Sequence, residues 1–104
     1  MSGLPELGRF SEPALFILIS LASAPKHGYA MQDDIAELTG ERPGPGTLYG
    51  AIRRLEEAGF IEPLAEQDRR KPYQLTKRGR AALKAELERM RSVARTGLTR
   101  LAVA

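Results

Sequence analysis

The connector Pro43-Gly44-Pro45-Gly46 constrains the fold of this chain more than any other segment of its sequence. Proline fixes φ and cannot continue a helix, whereas glycine tolerates the sharp turn that lets a new helix start in another direction. A rigid, tight connector of this kind joins two short helices at a steep angle. We therefore predict a helix-turn-helix in the middle of the chain.

The segments on either side of the connector have the apolar periodicity of helices. The helix before it is predicted to start after Gly28 and to stop at Gly40, and the helix after it to run from about Pro45 to a left-handed Gly59. An apolar residue returns every three or four positions, which assigns one side of each helix to the core. The residues predicted to face the core are Met31, Ile35, Leu38, Leu48, Ile52 and Leu55.

Two further helices are predicted nearer the ends of the chain. The first begins near Glu12, with Ser11 as its N-cap, and is apolar on nearly every side from Ala14 to Ala22, so a second chain could cover part of it. The last runs from about Lys77 towards Leu101, and its apolar positions alternate steps of four and three, as in paired helices. Packing of this seam against the first helix of the same chain is the alternative. The residues predicted to form a dimer interface are Leu15, Phe16, Ile19, Leu83, Leu87, Met90, Ala94, Gly97 and Leu101.

A short antiparallel hairpin is predicted before the last helix. Phe60 to Ala65 and Pro72 to Thr76 have strand-like alternation, and the polar stretch Glu66 to Lys71 joins them. A winged helix-turn-helix has two short helices followed by a hairpin, which is called the wing. The predicted hairpin of this chain follows two such helices and has a basic tip. We predict a mainly α fold with a small β-hairpin: one domain, 1–104, with the winged helix-turn-helix at 11–76 and a dimerisation helix at 77–101.

Charge is unevenly distributed along the chain, although the net charge is only +3. Every charged residue from Gly28 to Glu41 is acidic, and every one from Arg69 to Ala85 is basic. A basic run is either a solvent-exposed surface or a binding surface for phosphates.

The chain has no cysteine and one histidine without a nucleophile partner, so we expect no metal, no cofactor and no enzymatic activity. We see no secretory signal and no apolar run long enough for a membrane, so we expect a cytoplasmic location.

Several short motifs occur together along the chain: His27-Gly28-Tyr29, Pro45-Gly46-Thr47-Leu48-Tyr49, Arg54-Leu55-Glu56 before Gly59, Arg70-Lys71-Pro72-Tyr73-Gln74-Leu75-Thr76, and Gly79. In combination they resemble the PadR family of transcriptional regulators, in its short form with a single C-terminal helix. The resemblance covers about Ala14 to Met90 and implies a homodimeric repressor, with the third helix in the DNA major groove and the wing on the adjoining backbone. The chain departs from the family pattern at Gly44, where a serine cap often stands, and at Gly50, where a larger side chain often faces the groove.

Candidate DNA-binding residues follow from how a helix reads a duplex: its first turns reach base edges, while amides and cations nearby hold phosphates. Tyr49 could instead be a partly buried ring with a locally bonded hydroxyl, and Arg53 and Arg54 could pair with neighbouring glutamates. Lys77 and Arg78 lie at the positive end of the last helix, where an outside anion would offset their repulsion from the dipole. The predicted DNA-binding residues are Tyr29, Gly46, Thr47, Tyr49, Gly50, Arg53, Arg54, Arg69, Arg70, Lys71, Lys77 and Arg78.

The sequence therefore favours a sequence-specific DNA-binding regulator. We expect a repressor that binds an inverted repeat in double-stranded DNA and is relieved by a small hydrophobic or aromatic effector. Two other functions stay open at this point. One is a winged-helix module that binds a protein through the same surface, and the other is a sensor of hydrophobic ligands with little affinity for DNA.

Overall fold

The order of helices and strands confirms a winged helix-turn-helix. The structure is a computed structural model that describes residues 10–103. Three helices pack with a small sheet, and a fourth, long helix follows the last strand. The elements are α1 (Glu12–Ser23), β1 (Lys26–His27), α2 (Gly28–Thr39), α3 (Pro45–Glu57), β2 (Ile61–Pro63), β3 (Pro72–Leu75) and α4 (Lys77–Val103).

Local capping explains where the helices begin and end. The Ser11 side chain accepts a hydrogen bond from the N–H of Ala14 at 3.4 Å and so caps α1. Gly40 ends α2 in the left-handed conformation, with φ of 85°. The hydroxyl of Thr76 accepts a hydrogen bond from the N–H of Gly79 at 3.0 Å, so it caps α4. These three boundaries were predicted from the sequence and are confirmed.

The sheet has one more strand than the predicted hairpin. β2 and β3 pair antiparallel as the wing, and β1 adds to the other edge of β3, with Lys26 opposite Tyr73. The wing strands are also shorter than predicted. One reason is that Thr76 leaves the strand to cap α4, and its hydroxyl also donates a hydrogen bond to the carbonyl of Gly59 at 2.7 Å. This bond holds the end of α3 against the start of α4.

The core lies where α1 crosses α2, α3 and the start of α4. Its apolar members include every residue of α2 and α3 that was predicted to face inward, except one. Leu38, in the last turn of α2, is 51% exposed, so its assignment to the core was wrong. The side chain lies one turn beyond Ile35, at the end of the buried stripe. The most deeply buried side chains include Ile17, Leu18, Met31, Leu48 and Ile61.

The start of α4 is fixed by a close approach between two backbones. A Cβ atom on Gly79 would lie 1.9 Å from the carbonyl oxygen of Phe60, so no other residue fits there without movement of the main chain. This contact joins the first turn of α4 to the base of the wing. The position of the wing relative to the helices is therefore set by packing of main chain on main chain.

Beyond Glu86, α4 leaves the core and its side chains are exposed. Of the nine residues predicted to form a dimer interface, Leu15 and Leu83 are 7% and 4% exposed and belong to the core of their own protomer. Their side chains therefore have almost no surface left for a partner. Phe16 and Ile19 are partly buried against the core, and Leu87, Met90, Ala94, Gly97 and Leu101 are exposed.

Among residues 10–103 no helix has both the length and the apolar character needed to cross a membrane.

Candidate nucleic-acid interface

The outward face of α3 is almost bare of side chains near its start. Leu48, Ile52 and Leu55 are buried, which turns the opposite side of the helix to solvent. Gly46 and Gly50 lie on that opposite side, one turn apart. A Cβ atom on Gly46 would meet no other atom within 4 Å, and one on Gly50 would meet only the Nη1 atom of Arg54, at 3.6 Å. Another molecule can therefore approach the α3 backbone here without obstruction from this chain.

The remaining predicted side chains of α3 surround this bare strip. Thr47, Tyr49, Arg53 and Arg54 are all exposed. Of these, Thr47 borders a separate open groove of about 440 Å³ between α1, α2 and α3. The two arginines extend from the helix further along.

Tyr49 packs against the first residue of α2. A Cβ atom on Gly28 would lie 2.3 Å from the Tyr49 hydroxyl and 2.6 Å from the ring carbon that bears it. Glycine at position 28 thus allows the ring to lie on the α2 backbone. The alternative considered above was that Tyr49 is a partly buried ring and not a DNA contact. The side chain is still 46% exposed, so the ring is buried only in part and can also contact a ligand. This contact ties the N-terminal ends of α2 and α3 together.

The wing ends in a tight turn that has a basic residue at its centre. Gln67 and Arg70 exchange two backbone hydrogen bonds of 2.8 Å, and the two residues between them, Asp68 and Arg69, have φ values of 52° and 65°. Positive φ at both central positions defines a type I′ turn, which matches the twist of a hairpin. Asparagine and glycine are the usual residues there, because left-handed backbone costs other residues roughly 1 kcal/mol. Arg69 is held at the tip despite that cost.

A cleft of about 300 Å³ lies between the wing and the ends of α2 and α3. It brings together five of the twelve predicted DNA-binding residues, contributed by three separate segments of the chain. The charged residues of its lining are two arginines and one lysine, all of them basic. The cleft is lined by His27, Gly28, Tyr29, Tyr49, Arg69, Arg70, Lys71 and Tyr73.

The predicted DNA-binding cations are not neutralised by carboxylates among residues 10–103. Within residues 10–103, none of the ion pairs involves a predicted DNA-binding residue, so Arg53 and Arg54 do not make the internal pairs considered as their alternative use. Lys77 and Arg78 do not line the cleft; the guanidinium of Arg78 lies over the Phe60 ring, 4.9 Å from its centroid. The ion pairs are Lys26–Asp34, Arg42–Asp33, Arg89–Glu86 and Arg91–Glu88.

Arg42 is a member of this surface that the sequence analysis missed. Its guanidinium lies 5.0 Å from the centroid of the Tyr29 ring, and that of Arg70 lies 6.0 Å from the same ring. Arg42 also donates a hydrogen bond to Asp33, which raises the pKa of the guanidinium above its ordinary value. Tyr29, which is 56% exposed, is thus flanked by one arginine from the α2–α3 turn and one from the wing. No periodic pattern connects these residues in the sequence.

His27 was predicted to be a turn or capping residue, and it caps α2. Its Nδ1 atom accepts a hydrogen bond from the N–H of Ala30 at 3.3 Å. Its Nε2 atom lies 3.2 Å from the Nη1 atom of Arg70 in the wing. The histidine was not among the predicted DNA-binding residues, yet it lies in the lining of the cleft.

Comparison with known proteins identifies the family and the fold of this chain. Residues 17–85 match the family model described as "Transcriptional regulator PadR-like family". A transcriptional regulator from Clostridium thermocellum has a similar structure, with 27% identity, a TM-score of 0.73, and coverage of 84% of this chain and 87% of that one. A PadR family regulator from Clostridium difficile shares the fold at 22% identity, with a TM-score of 0.76 and coverage of 88% and 99%.

A curated relative belongs to a transposon. The chain is 42% identical over 82 residues to an uncharacterised 37.1 kDa protein in transposon TN4556 of Streptomyces fradiae. The match covers 79% of this chain but only 24% of that protein, so the chain spans about a quarter of its length. The family model and the structural neighbour from Clostridium thermocellum describe transcriptional regulators and not enzymes. The family match extends over most of the described residues, and the chain belongs to the PadR-like family of transcriptional regulators.

Proposed function

We propose that the protein binds double-stranded DNA as a homodimer and acts as a sequence-specific repressor of transcription. The observation that carries this proposal is the cleft between the wing, α2 and α3, which combines cations that form no ion pair among residues 10–103 with two exposed tyrosines. A regulator that binds chromosomal DNA works where that DNA lies, and in a cell without a nucleus we propose the cytoplasm as its location.

The wing supplies the electrostatic part of DNA binding. Arg69, Arg70 and Lys71 are exposed, and no ion pair among residues 10–103 involves them. Arginine and lysine in this setting bind phosphate oxygens through charge-assisted hydrogen bonds. Each phosphate that they neutralise releases counterions, so the affinity for DNA falls as salt rises. We expect the wing to fix the position of the protein on the duplex rather than to select its sequence.

Sequence selection is assigned to α3. Its bare strip at Gly46 and Gly50 allows the helix backbone to come close to the floor of a major groove, where Arg53 has the length to reach the edge of a guanine. Tyr49 and Thr47 offer hydroxyls for the sugar-phosphate backbone on either side. Lys77 and Arg78, at the start of α4, are proposed as further phosphate contacts.

Dimerisation is assigned to the exposed length of α4. The helix has 27 residues, or about 40 Å at 1.5 Å per residue, and its second half carries exposed apolar side chains. An apolar stripe of this kind on a protruding helix is stabilised by burial against another helix. A second copy related by a two-fold axis would place two α3 helices in successive major grooves, about 34 Å apart, so the DNA site should be an inverted repeat. The exposed large apolar residues of α4 are Leu87, Met90, Val93, Leu98, Leu101 and Val103.

Relief by an effector is assigned to the neighbourhood of that interface. An open concavity of about 520 Å³ on α4 combines Leu83 and Leu87 with Arg80 and Lys84. This combination suits a small aromatic or hydrophobic ligand, and an acidic group on the ligand would find a cation there. Binding beside a dimer interface can alter the distance between the two α3 helices and so change the affinity for DNA.

The test is a selection of duplexes from a random DNA pool by the purified protein, followed by binding assays at two salt concentrations. We expect an inverted repeat to be enriched, and we expect Lys77→Glu with Arg78→Glu to weaken its binding. Ser92→Ala, on the solvent-facing side of α4, is the matched control and should bind as the wild type does. A pool that yields no enriched sequence, together with weak retention on mixed DNA at both salt concentrations, would instead indicate a protein-interaction module.

A further inference from the structure

The side chain of His27 links α2 to the wing and is fixed by contacts on both sides. In the sheet, His27 pairs with Pro72 of β3. Its Nδ1 atom accepts the N–H of Ala30 at 3.3 Å, and its Nε2 atom lies 3.2 Å from the Nη1 atom of Arg70. The imidazole therefore has one nitrogen in the cap of a helix and the other against a guanidinium.

These two contacts make different demands on the ring. A neutral imidazole carries one N–H and one lone pair. The cap uses the lone pair of Nδ1, so the proton lies on Nε2. Arg70 has only N–H donors, and two donors that face each other cannot form a hydrogen bond. The other tautomer would accept from Arg70 but would lose the cap of α2, and loss of an N-cap typically costs about 1 kcal/mol.

The Nε2–H group of His27 and the guanidinium of Arg70 thus lie side by side as two donors. Only a hydrogen-bond acceptor placed beside them can bond to both. Asp68 is the nearest carboxylate by sequence, and it borders an adjoining concavity that also includes His27 and Arg70. Among residues 10–103, however, no hydrogen bond or ion pair joins Asp68 to either donor. The charged neighbours on the cleft side are Arg69 and Lys71, and the other titratable groups there are the tyrosine hydroxyls. The surroundings therefore favour an anionic acceptor supplied from outside the chain.

We propose that His27 and Arg70 together hold one phosphate oxygen of the DNA backbone, with Nε2–H of the histidine and the guanidinium as donors. The inference rests on the proposed DNA-binding function and adds a residue to it. In this role His27 connects the helix-turn-helix to the wing through a shared phosphate. The apparent conflict between two donors in the free protein is resolved when DNA binds.

The test uses His27→Asn, because asparagine is a good N-cap but is too short to place a donor where Nε2 lies. The probes are a 40-base-pair duplex selected from a random pool by the wild-type protein and a scrambled duplex of the same composition. We expect His27→Asn to unfold within a few degrees of the wild type and to bind both duplexes about tenfold more weakly. A loss confined to the selected duplex would overturn the phosphate assignment in favour of a base contact.

The sharing of one phosphate is tested with Arg70→Ala and the double variant. Two donors on one oxygen predict non-additive effects, so the double variant should bind only slightly more weakly than Arg70→Ala alone. Effects that multiply independently, or His27→Asn binding equal to that of the wild type, would overturn the inference while leaving DNA binding intact. A wild-type protein that enriches no duplex from the pool and does not bind the scrambled duplex would overturn the proposed function itself.

Discussion

Gly50→Ala should make the free protein more stable and its complex with DNA weaker. Gly50 lies inside α3, where replacing glycine by alanine typically stabilises a helix by about 0.8 to 1 kcal/mol. The added Cβ would contact only the end of the Arg54 side chain, at 3.6 Å, which is ordinary van der Waals distance. We therefore expect the free energy of unfolding to rise by the full 0.8 to 1 kcal/mol. For a domain of this size it corresponds to a rise of roughly 3 to 8 °C in the unfolding temperature.

The same methyl group should obstruct DNA. It would project from the bare strip that we propose to lie against the floor of the major groove, so the helix would have to move outward and lose contacts along its length. We expect the affinity to fall at least tenfold, which is about 1.4 kcal/mol. Thermal unfolding followed by circular dichroism measures the first effect, and fluorescence anisotropy with the selected duplex measures the second.

Ser92→Ala is the matched control, because it also gains helix propensity at an exposed position but lies on the solvent-facing side of α4. It should raise stability and leave the DNA affinity unchanged. Gly50→Ala that binds DNA as tightly as the wild type would refute the close approach of α3. Gly50→Ala that destabilises the free protein would refute the environment described for this position.

Three other variants test separate parts of the structure. Gly79→Ala should lower the free energy of unfolding by roughly 3 kcal/mol in urea titrations, because its Cβ would lie 1.9 Å from the Phe60 carbonyl; a stability near that of the wild type would contradict this packing. Arg69→Gly should stabilise the wing turn by roughly 1 kcal/mol, since φ is 65° there, and yet weaken DNA binding; weaker binding without a gain in stability would contradict the strain. Leu98→Glu with Leu101→Glu should convert a dimer to a monomer in sedimentation velocity, and an unchanged dimer would place the interface elsewhere.

The helices were predictable because their signals are local. Apolar spacing, a serine or threonine cap, and a terminal glycine act within a few residues of one another, and each fixes a boundary almost independently of the rest of the fold. The left-handed φ values of 85° at Gly40 and 83° at Gly59 illustrate this, since both were expected from the end of a periodic stretch. Leu38 shows the limit: its spacing fits the stripe, but α2 has reached the edge of the core there.

The features that the sequence analysis missed depend on contacts between distant segments. β1 has only two residues, so no alternation could reveal it, and it forms because β3 offers a free edge. Arg42 joins the candidate surface because Asp33 and Tyr29 hold its guanidinium in place. His27 was predicted as a cap, but its approach to the wing arises from the β1–β3 pairing. By contrast, the position of the basic run at the wing tip could be predicted, because the residues at the tip of a hairpin follow from the length of the hairpin.

The role of the wing in DNA binding is best measured by the dependence of DNA affinity on salt, compared between the wild type and a variant with Arg69, Arg70 and Lys71 all replaced by alanine. For the wild type we expect a steep linear fall of the logarithm of the binding constant with the logarithm of salt concentration. Each phosphate contact contributes roughly 0.9 to that slope, so the variant should flatten it by as much as about 3. Equal slopes for the two proteins, or affinity for DNA that does not change with salt, would contradict the assignment of the wing to the phosphate backbone.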